Sequence, residues 1–365
     1  MSASITIIFA YRNRDVSRVH FALLSLERQS SHNFEVIFVD YGSNLEFSTK
    51  IQNIVALFNF ARYYYVGHKG LLWNKSKALN YGIKKASTPY VLTADIDLLF
   101  AKNTVELCES LKSTNDFYLF KIGYLSEKTT ASLTINSLFD TLHPTHVGNT
   151  FGIGLYPKKS LECVHGLDEF FHFYGAEDED LNARLMLSGV QQNQMDYMLF
   201  LHQWHPRYPR RKDKKLSLKP RLYKAERLNQ RHHSFQQNMK EQIPFNQLDW
   251  GKCYMLNDFE ILRKPSKKLT LTNINSVITH FLNVEIMQYK GEVLSVKFVY
   301  LPYYKTLRYY LKKLLGKETR DFISMKKIND MVLKIILFHY RDYNYSYQIA
   351  SDFRSINLKI DLRND

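Results

Sequence analysis

Along the first hundred residues, short apolar runs alternate with segments whose apolar positions recur every three to four residues. The runs are "SITIIFAY", "FEVIFVDYGS", "ARYYYVG" and "YVLTADIDLLF". β-branched and aromatic residues dominate them, and most stop at polar or glycine residues, which predicts buried strands. Between the first two, "VSRVHFALLSLERQS" carries Val19, Leu23 and Leu26 on one side and offers Asp15 or Ser17 as an N-cap, which predicts a helix. "STKIQNIVALFNF" and "NKSKALNYGIKKAS" read the same way. Strands alternating with helices predict an α/β fold, a mostly parallel sheet with helices on both faces. Ligands of such sheets bind beyond the carboxyl ends of the strands. Asp40, Asp95 and Asp97 all fall at those ends, so one crevice could collect them.

The pattern then loosens. "FYLFKIGYL" predicts a strand, and "AEDEDLNARLMLSG" a helix closed by Gly189. The stretch between them, "HPTHVGNTFGIGLYPKKSLECVHGLDEFF", reads as a glycine-punctuated loop region. From Pro206 the composition turns strongly basic, with three prolines in "HPRYPRRKDKKLSLKPRLYKAERLNQRHH". A boundary there divides a domain of residues 1–210 from a basic α+β extension of residues 211–365. The extension mixes a strand signal, "VLSVKFVYLP", with the tyrosine- and lysine-rich helical segment "YYKTLRYYLKKLLGK".

Charge and cysteine content narrow the classes. The net charge of +15 implies anionic partners: nucleic acid, phosphorylated substrates or an acidic membrane surface. Cys108, Cys163 and Cys253 are far apart, which argues against both a disulfide framework and a cysteine metal site. The apolar run in "MSASITIIFAYRNR" precedes its arginines, the wrong order for a signal peptide, and it is too short to span a bilayer. The expectation is a cytoplasmic protein, peripheral at most on the inner face of the plasma membrane.

Three clusters carry candidate chemistry. Asp95 and Asp97, two apart in an extended chain, would point to one face and repel unless a cation sits near them. A hard divalent ion shared with a phosphorylated ligand would resolve this, although a solvated strand end would look the same in sequence. In "FYGAEDEDLNARL", Glu177, Asp178, Glu179 and Asp180 crowd a helix start, where any one or two acidic residues are ordinarily favoured. The preceding Tyr174 and Gly175 are not explained that way: an aromatic face stacks on a sugar ring, and glycine admits close backbone approach. A carboxylate here could be a general base for a sugar hydroxyl. In "LHQWHP", His202 and His205 are candidate metal ligands. Arg12, Arg14, Lys75 and Lys77 are candidate phosphate-side cations, each also readable as a solvated basic residue.

Taken in order, "AYRNR", "VDYGS", "WNKSKALNYG", "TADIDLL", "GLDEFFHFYGAEDEDLNARL" and "HQWHP" resemble nucleotide-sugar glycosyltransferases of the GT-A (Rossmann-like) fold. The group whose second half is similar to the β-1,4-galactosyltransferase C-terminal region, also found in bacterial chondroitin-type polymerases, matches best. The resemblance runs from about Ile5 to Pro206. It implies that Tyr11, Arg12 and Arg14 line the nucleotide site, that Asp40 accepts from uracil, and that Trp73 and Lys75 flank the nucleotide. It places Asp95 by the ribose or sugar, Asp97 on Mn²⁺ or Mg²⁺ as part of a DXD motif, and His205, with His202, in the metal shell. Tyr174 and Gly175 would form the acceptor platform, Glu177 would hold an acceptor hydroxyl, and Asp178 would be the base. The implied activity is inverting transfer of a Gal, GalNAc, Glc or GlcNAc-type sugar from a UDP-sugar to a glycan hydroxyl, in bacterial surface polysaccharide synthesis. Three departures stand out: Phe9 where proline is common, Tyr41 where a second aspartate is common, and Tyr174 where galactosyltransferases carry tryptophan.

The expected partners are a UDP-sugar donor and an oligosaccharide or lipid-linked glycan acceptor. The extension adds candidates: an anionic membrane surface or a second copy in a homodimer. Nucleic acid is not expected as a partner. The rival from another class is a nucleic-acid or anionic-surface binding protein without catalysis. Its support is the charge and the aromatic–basic interleaving of the second half. Against it, the acidic clusters would repel phosphate without a metal.

Overall fold

A computed structural model describes residues 3–245, 247 and 249–363, so the end of the 211–365 extension lies outside the described residues. The chain divides into two compact units. The first comprises residues 1–67, 73–208 and 226–253; the second comprises 68–72, 209–225 and 254–365. The division is therefore not a single cut at 210: residues 226–253 return to the first unit, and five residues near position 70 join the second.

The first unit opens as its hydrophobic pattern predicts. β1 (Ile5–Tyr11), α1 (Val16–Glu27), β2 (Phe34–Tyr41), α2 (Leu45–Val55), β3 (Ala61–Val66), α3 (Lys75–Lys85) and β4 (Tyr90–Ala94) follow in alternation. Asp15 caps α1, accepting from the Ser17 amide. Val19, Leu23 and Leu26 are buried as one stripe, each contributing on the order of 1.5–3 kcal/mol. β1 lies between β2 and β4, with all pairings parallel, and β3 pairs with β2 outside.

The fourth run departs from expectation. "YVLTADIDLLF" is not one strand: β4 stops at Ala94, the chain turns through Asp95–Asp97, and β5 (Leu98–Phe100) resumes elsewhere in the sheet. α4 (Thr104–Ser110), β6 (Asp116–Tyr124) and α5 (Glu127–Ala131) follow. The stretch read as a glycine-punctuated loop instead contains a twelve-residue strand, β7 (His146–Pro157), and a short helix, α6 (Lys158–Cys163). α7 (Glu177–Leu187), β8 (Gln191–His202) and α8 (Ala225–Met239) complete the unit. The sheet order is β3-β2-β1-β4-β7-β6-β8-β5. Four of its seven pairings are parallel, so the sheet is mixed, with antiparallel pairs around β7 and β5. Phe9, Phe38, Phe100, Phe120 and Phe200 fill the core beneath the strand ends.

The second unit contains α9 (Asp258–Arg263), β9 (Lys267–Thr272), α10 (Asn275–Asn283), β10 (Val293–Val299), α11 (Leu307–Leu314), α12 (Met325–Ile335), β11 (Tyr345–Ile349) and β12 (Ser355–Asp361). Its sheet has the order β11-β12-β10-β9. "VLSVKFV" buries Leu294, Val296 and Phe298 on one face, with the period of two that marks a half-buried strand. The 68–72 segment lies along β11: the Tyr347 amide donates to the Gly70 carbonyl at 2.9 Å, and the Leu72 amide to the Tyr345 hydroxyl at 3.1 Å. A Cβ at Gly70 would collide with Ser346, so only glycine permits that approach.

Candidate active site

The loops after β1 and β2 are tied together before any ligand enters. Tyr11 is fully buried, and its hydroxyl donates to the Arg14 carbonyl at 2.8 Å, which fixes the turn that carries Arg12 and Arg14. Asn13, held at φ 47°, donates its amide to Ser43 Oγ and accepts from the Asn44 amide. Asp40 points inward. It is fully buried, accepting from the Ser43 amide at 3.0 Å and from the Tyr63 hydroxyl at 2.8 Å. Burial raises its pKa, partly opposed by those donors. The structure thus makes Asp40 a brace for the β2 turn; it is not left exposed for a base.

α3 begins with Asn74, which accepts from the Lys77 amide and donates to the Glu169 carbonyl. Lys75 follows as the first helical residue, where the helix dipole disfavours a cation. Two carboxylates compensate: its Nζ lies 3.2 Å from Asp95 and 3.6 Å from Asp178. Burial works against this ammonium, yet Asp178, Asp95 and Glu177 together raise its pKa well above the ordinary lysine value. Lys77 does not join it. That side chain is buried 3.2 Å from Glu169, so the phosphate-side reading of Lys77 gives way to a structural one. Trp73, half-buried, meets Tyr41 edge-on at 6.2 Å.

The turn at Asp95–Asp97 answers the repulsion posed by the sequence. The two carboxylates do not share a strand face; one is aimed at Lys75 and the other at two histidines. The register does this. β5 pairs antiparallel with β8 so that Leu98 faces His202, and the Gln203 amide donates to the Asp97 carbonyl at 2.9 Å. Asp97 Oδ2 then lies 3.7 Å from His202 Nε2 and 3.4 Å from His205 Nε2. One ligand atom from each residue falls within 4.8 Å of the others. One carboxylate oxygen and two imidazole nitrogens form a donor set suited to a divalent transition metal. Burial raises the Asp97 pKa, with His202 opposing and Asp95 reinforcing the rise. Arg14 reaches both aspartates electrostatically. Tyr124 stacks on His146 at 4.4 Å and touches the His202 ring at 5.4 Å, bracing the cluster.

The third part is the start of α7. Phe173, Gly175 and Ala176 all have φ between 70° and 99°, a conformation costly for the two non-glycine residues. It holds Tyr174 out, 63% exposed. The clamp is Asn229 of α8, whose Nδ2 donates to the carbonyls of His172 and Tyr174 at 3.0 Å and of Gly175 at 3.2 Å. The four acidic residues then separate by role. Glu179 is exposed. Asp180 is buried against Arg184 at 2.8 Å, and Arg184 also donates to the carbonyls of Val164 and Gly166. Glu177 is half-buried beside Asp178. Asp178 faces Lys75, its carboxylate seated against Gly152 of β7, where any Cβ would collide with it. Burial, with Glu177 and Asp95 adding to it against Lys75, pushes the Asp178 pKa up to about 7.

Lys75 therefore links Asp95 and Asp178, and Asp97 two residues on gathers His202 and His205. Asn229, Gly152, Arg184 and Tyr124 had no signal in the sequence. Each acts through a partner at least 22 positions away or, for Arg184, through ordinary helical spacing with Asp180.

Residues 6–131 match the family model described as glycosyl transferase family 2. Residues 135–209 match the model described as the N-terminal domain of galactosyltransferase. A comparison with curated proteins returns no match. Among solved structures, S. aureus TarS matches at 18% identity over 55% of this chain and 37% of that one, with a TM-score of 0.40. S. aureus TarS 1–349 in complex with UDP matches at 19% over 54% and 60%, with a TM-score of 0.40. The mannosyltransferase PcManGT from Pyrobaculum calidifontis, in complex with GDP-Man and Mn²⁺, matches at 15% over 66% and 64%, with a TM-score of 0.42. The chain thus spans between 37% and 64% of the length of these structures. Likenesses this loose do not carry the assignment. It rests on two successive transferase models over the strands, turn and helix that build the site, and these weigh against the non-catalytic alternative: residues 6–131 and 135–209 are similar to glycosyltransferases.

Proposed function

We propose that this chain is a glycosyltransferase that moves a hexose from a UDP-sugar to a glycan hydroxyl with inversion, aided by Mn²⁺ or Mg²⁺. The observation that carries the reading is the Lys75–Asp95–Asp178 network, with Asp97, His202 and His205 beside it. The fit of the donor set is good: Asp97, His202 and His205 would hold the ion. When bound, the ion supplies Lewis-acid stabilisation of the charge that develops on the leaving diphosphate.

The chain's own residues do the rest. Arg12 and Arg14, on a turn pinned by Tyr11, offer cationic donors to phosphate. Trp73 offers a flat face beside the nucleotide, and the braced Asp40 turn shapes its floor. Asp95 faces the donor sugar and, through Lys75, shares its charge with Asp178. Tyr174 and Gly175 present the acceptor ring, and Glu177 takes one of its hydroxyls. Asp178, with a pKa near neutrality, accepts the proton of the attacking hydroxyl. The alcohol oxygen forms its bond to the anomeric carbon as the bond to UDP breaks on the opposite face. A cytoplasmic role in bacterial surface polysaccharide synthesis is the setting that suits these substrates.

A screen of UDP-sugars for slow hydrolysis without acceptor, with Mn²⁺ and with chelator, tests this reading and names the donor. Expected is turnover of one UDP-hexose that the chelator removes. Metal-independent hydrolysis, or none with any UDP-sugar, overturns it.

A further inference from the structure

Within the second unit, α11 departs from the rule that an amphipathic helix buries its apolar stripe. Leu307, Leu311, Leu314 and Leu315 recur at positions i, i+4, i+7 and i+8, and they are 76%, 49%, 84% and 68% exposed. Single exposed leucines are ordinary, but three on one short helix with a fourth at its C-cap are not. The helix is anchored from its other side. Tyr309 is buried, with its ring 5.7 Å from both Tyr304 and Phe322. Thr306 caps the start, accepting from the Tyr309 amide, and Gly316 in the left-handed conformation closes the end. The leucines are therefore held outward by a folded base.

Charge surrounds the stripe. Residues 303–317, "YYKTLRYYLKKLLGK", contain Lys305, Arg308, Lys312, Lys313 and Lys317 and no acidic residue. A cavity at the base of the helix is lined by Leu216, Tyr304, Lys305 and Arg354. It brings the segment that carries Arg210, Arg211, Lys212, Lys214, Lys215 and Lys219 to the same part of the second unit. Those six cations are all exposed.

We propose that α11 and the basic segment beside it form a docking surface for an anionic lipid bilayer, with the leucines entering the headgroup–acyl boundary and the cations meeting the headgroups. The chemistry favours lipid over protein. An eight-residue helix is about 12 Å long, too small to supply the roughly 800 Å² per partner of a standard protein interface. A second copy of this surface would also bring like charges together. A bilayer accepts leucine and lysine at one depth, and surface potential adds attraction that fades within a Debye length. Such a surface suits an acceptor carried on a lipid, but the inference stands on the exposed stripe and does not depend on the catalytic reading.

Flotation of the full chain with vesicles of phosphatidylcholine, alone or mixed with phosphatidylglycerol, tests it. Expected is binding to the mixed vesicles at low salt, release at high salt, and little binding to the neutral ones. Leu311→Glu with Leu314→Glu should cut binding at least tenfold while UDP-sugar hydrolysis is unchanged. Lys312→Gln with Lys313→Gln should weaken it about fivefold per charge, the change that corresponds to roughly 1 kcal/mol. The proposal is overturned if the wild type stays unbound at low salt. It is overturned equally if the leucine variant floats as the wild type does, or if the leucines instead hold a dimer that light scattering detects without vesicle binding.

Discussion

Lys75 should set the pH at which Asp178 becomes a base. At 3.6 Å, the ammonium and carboxylate interact by about 1.2 kcal/mol at a water-like dielectric and about 4.6 kcal/mol at an effective value of 20. Both side chains are about one-fifth exposed, so the site lies between these limits. At about 1.4 kcal/mol per pH unit, removing the ammonium raises the Asp178 pKa by about one to three pH units. Releasing Asp95 from Lys75 acts in the same direction, because the Asp95 charge already raises Asp178. The wild-type turnover at saturating donor should fall below about pH 7, as the base takes up its proton. Lys75→Met should move that acid limb upward by one pH unit or more. Asp178→Asn should depress turnover by about 10² or more and abolish the limb. Stability has the opposite sign. A carboxyl whose folded pKa exceeds its unfolded value favours the folded state below about 3.8, and this contribution is lost as pH rises towards about 7. Metal-free Asp178→Asn should therefore raise Tm at pH 8 and leave it nearly unchanged at pH 4. An acid limb that stays in place in Lys75→Met, or survives in Asp178→Asn, would refute the reasoning.

Gly152→Ala should lower turnover with little change in Tm, since its Cβ can be accommodated only by moving the Asp178 carboxylate; wild-type turnover would show that the carboxylate position is not critical. Tyr174→Ala should raise the acceptor KM and leave acceptor-free donor hydrolysis intact, which initial-rate kinetics with and without acceptor will separate. His205→Ala should weaken Mn²⁺ binding more than His202→Ala, as measured by calorimetry on the full chain; negligible losses in both would remove them from the metal shell. Arg184→Leu should destabilise the first unit by about 3 kcal/mol or more in urea unfolding, because Asp180 is left buried without the guanidinium and two carbonyls lose their donor.

The sequence by itself determined the elements whose signals are local. Asp15 and the Val19–Leu23–Leu26 stripe specify α1 through neighbours a few residues away, and the β-branched runs specify β1, β2 and β3 in the same manner. The acidic helix start and the histidine pair were visible as residue types. Tertiary structure decided what those residues do. β7 is hidden in sequence because glycines 152 and 154 look like loop punctuation. In the fold they mark places where the Asp178 carboxylate and the Tyr156 ring occupy the space a side chain would take. Asp95 and Asp97 look like a pair, yet the turn between β4 and β5 sends them to different partners. The β5–β8 register that brings His202 to Asp97 joins residues more than a hundred positions apart. No periodicity encodes such a pairing, because it is made by hydrogen bonds between strands far apart in the chain and not by the spacing of neighbouring residues.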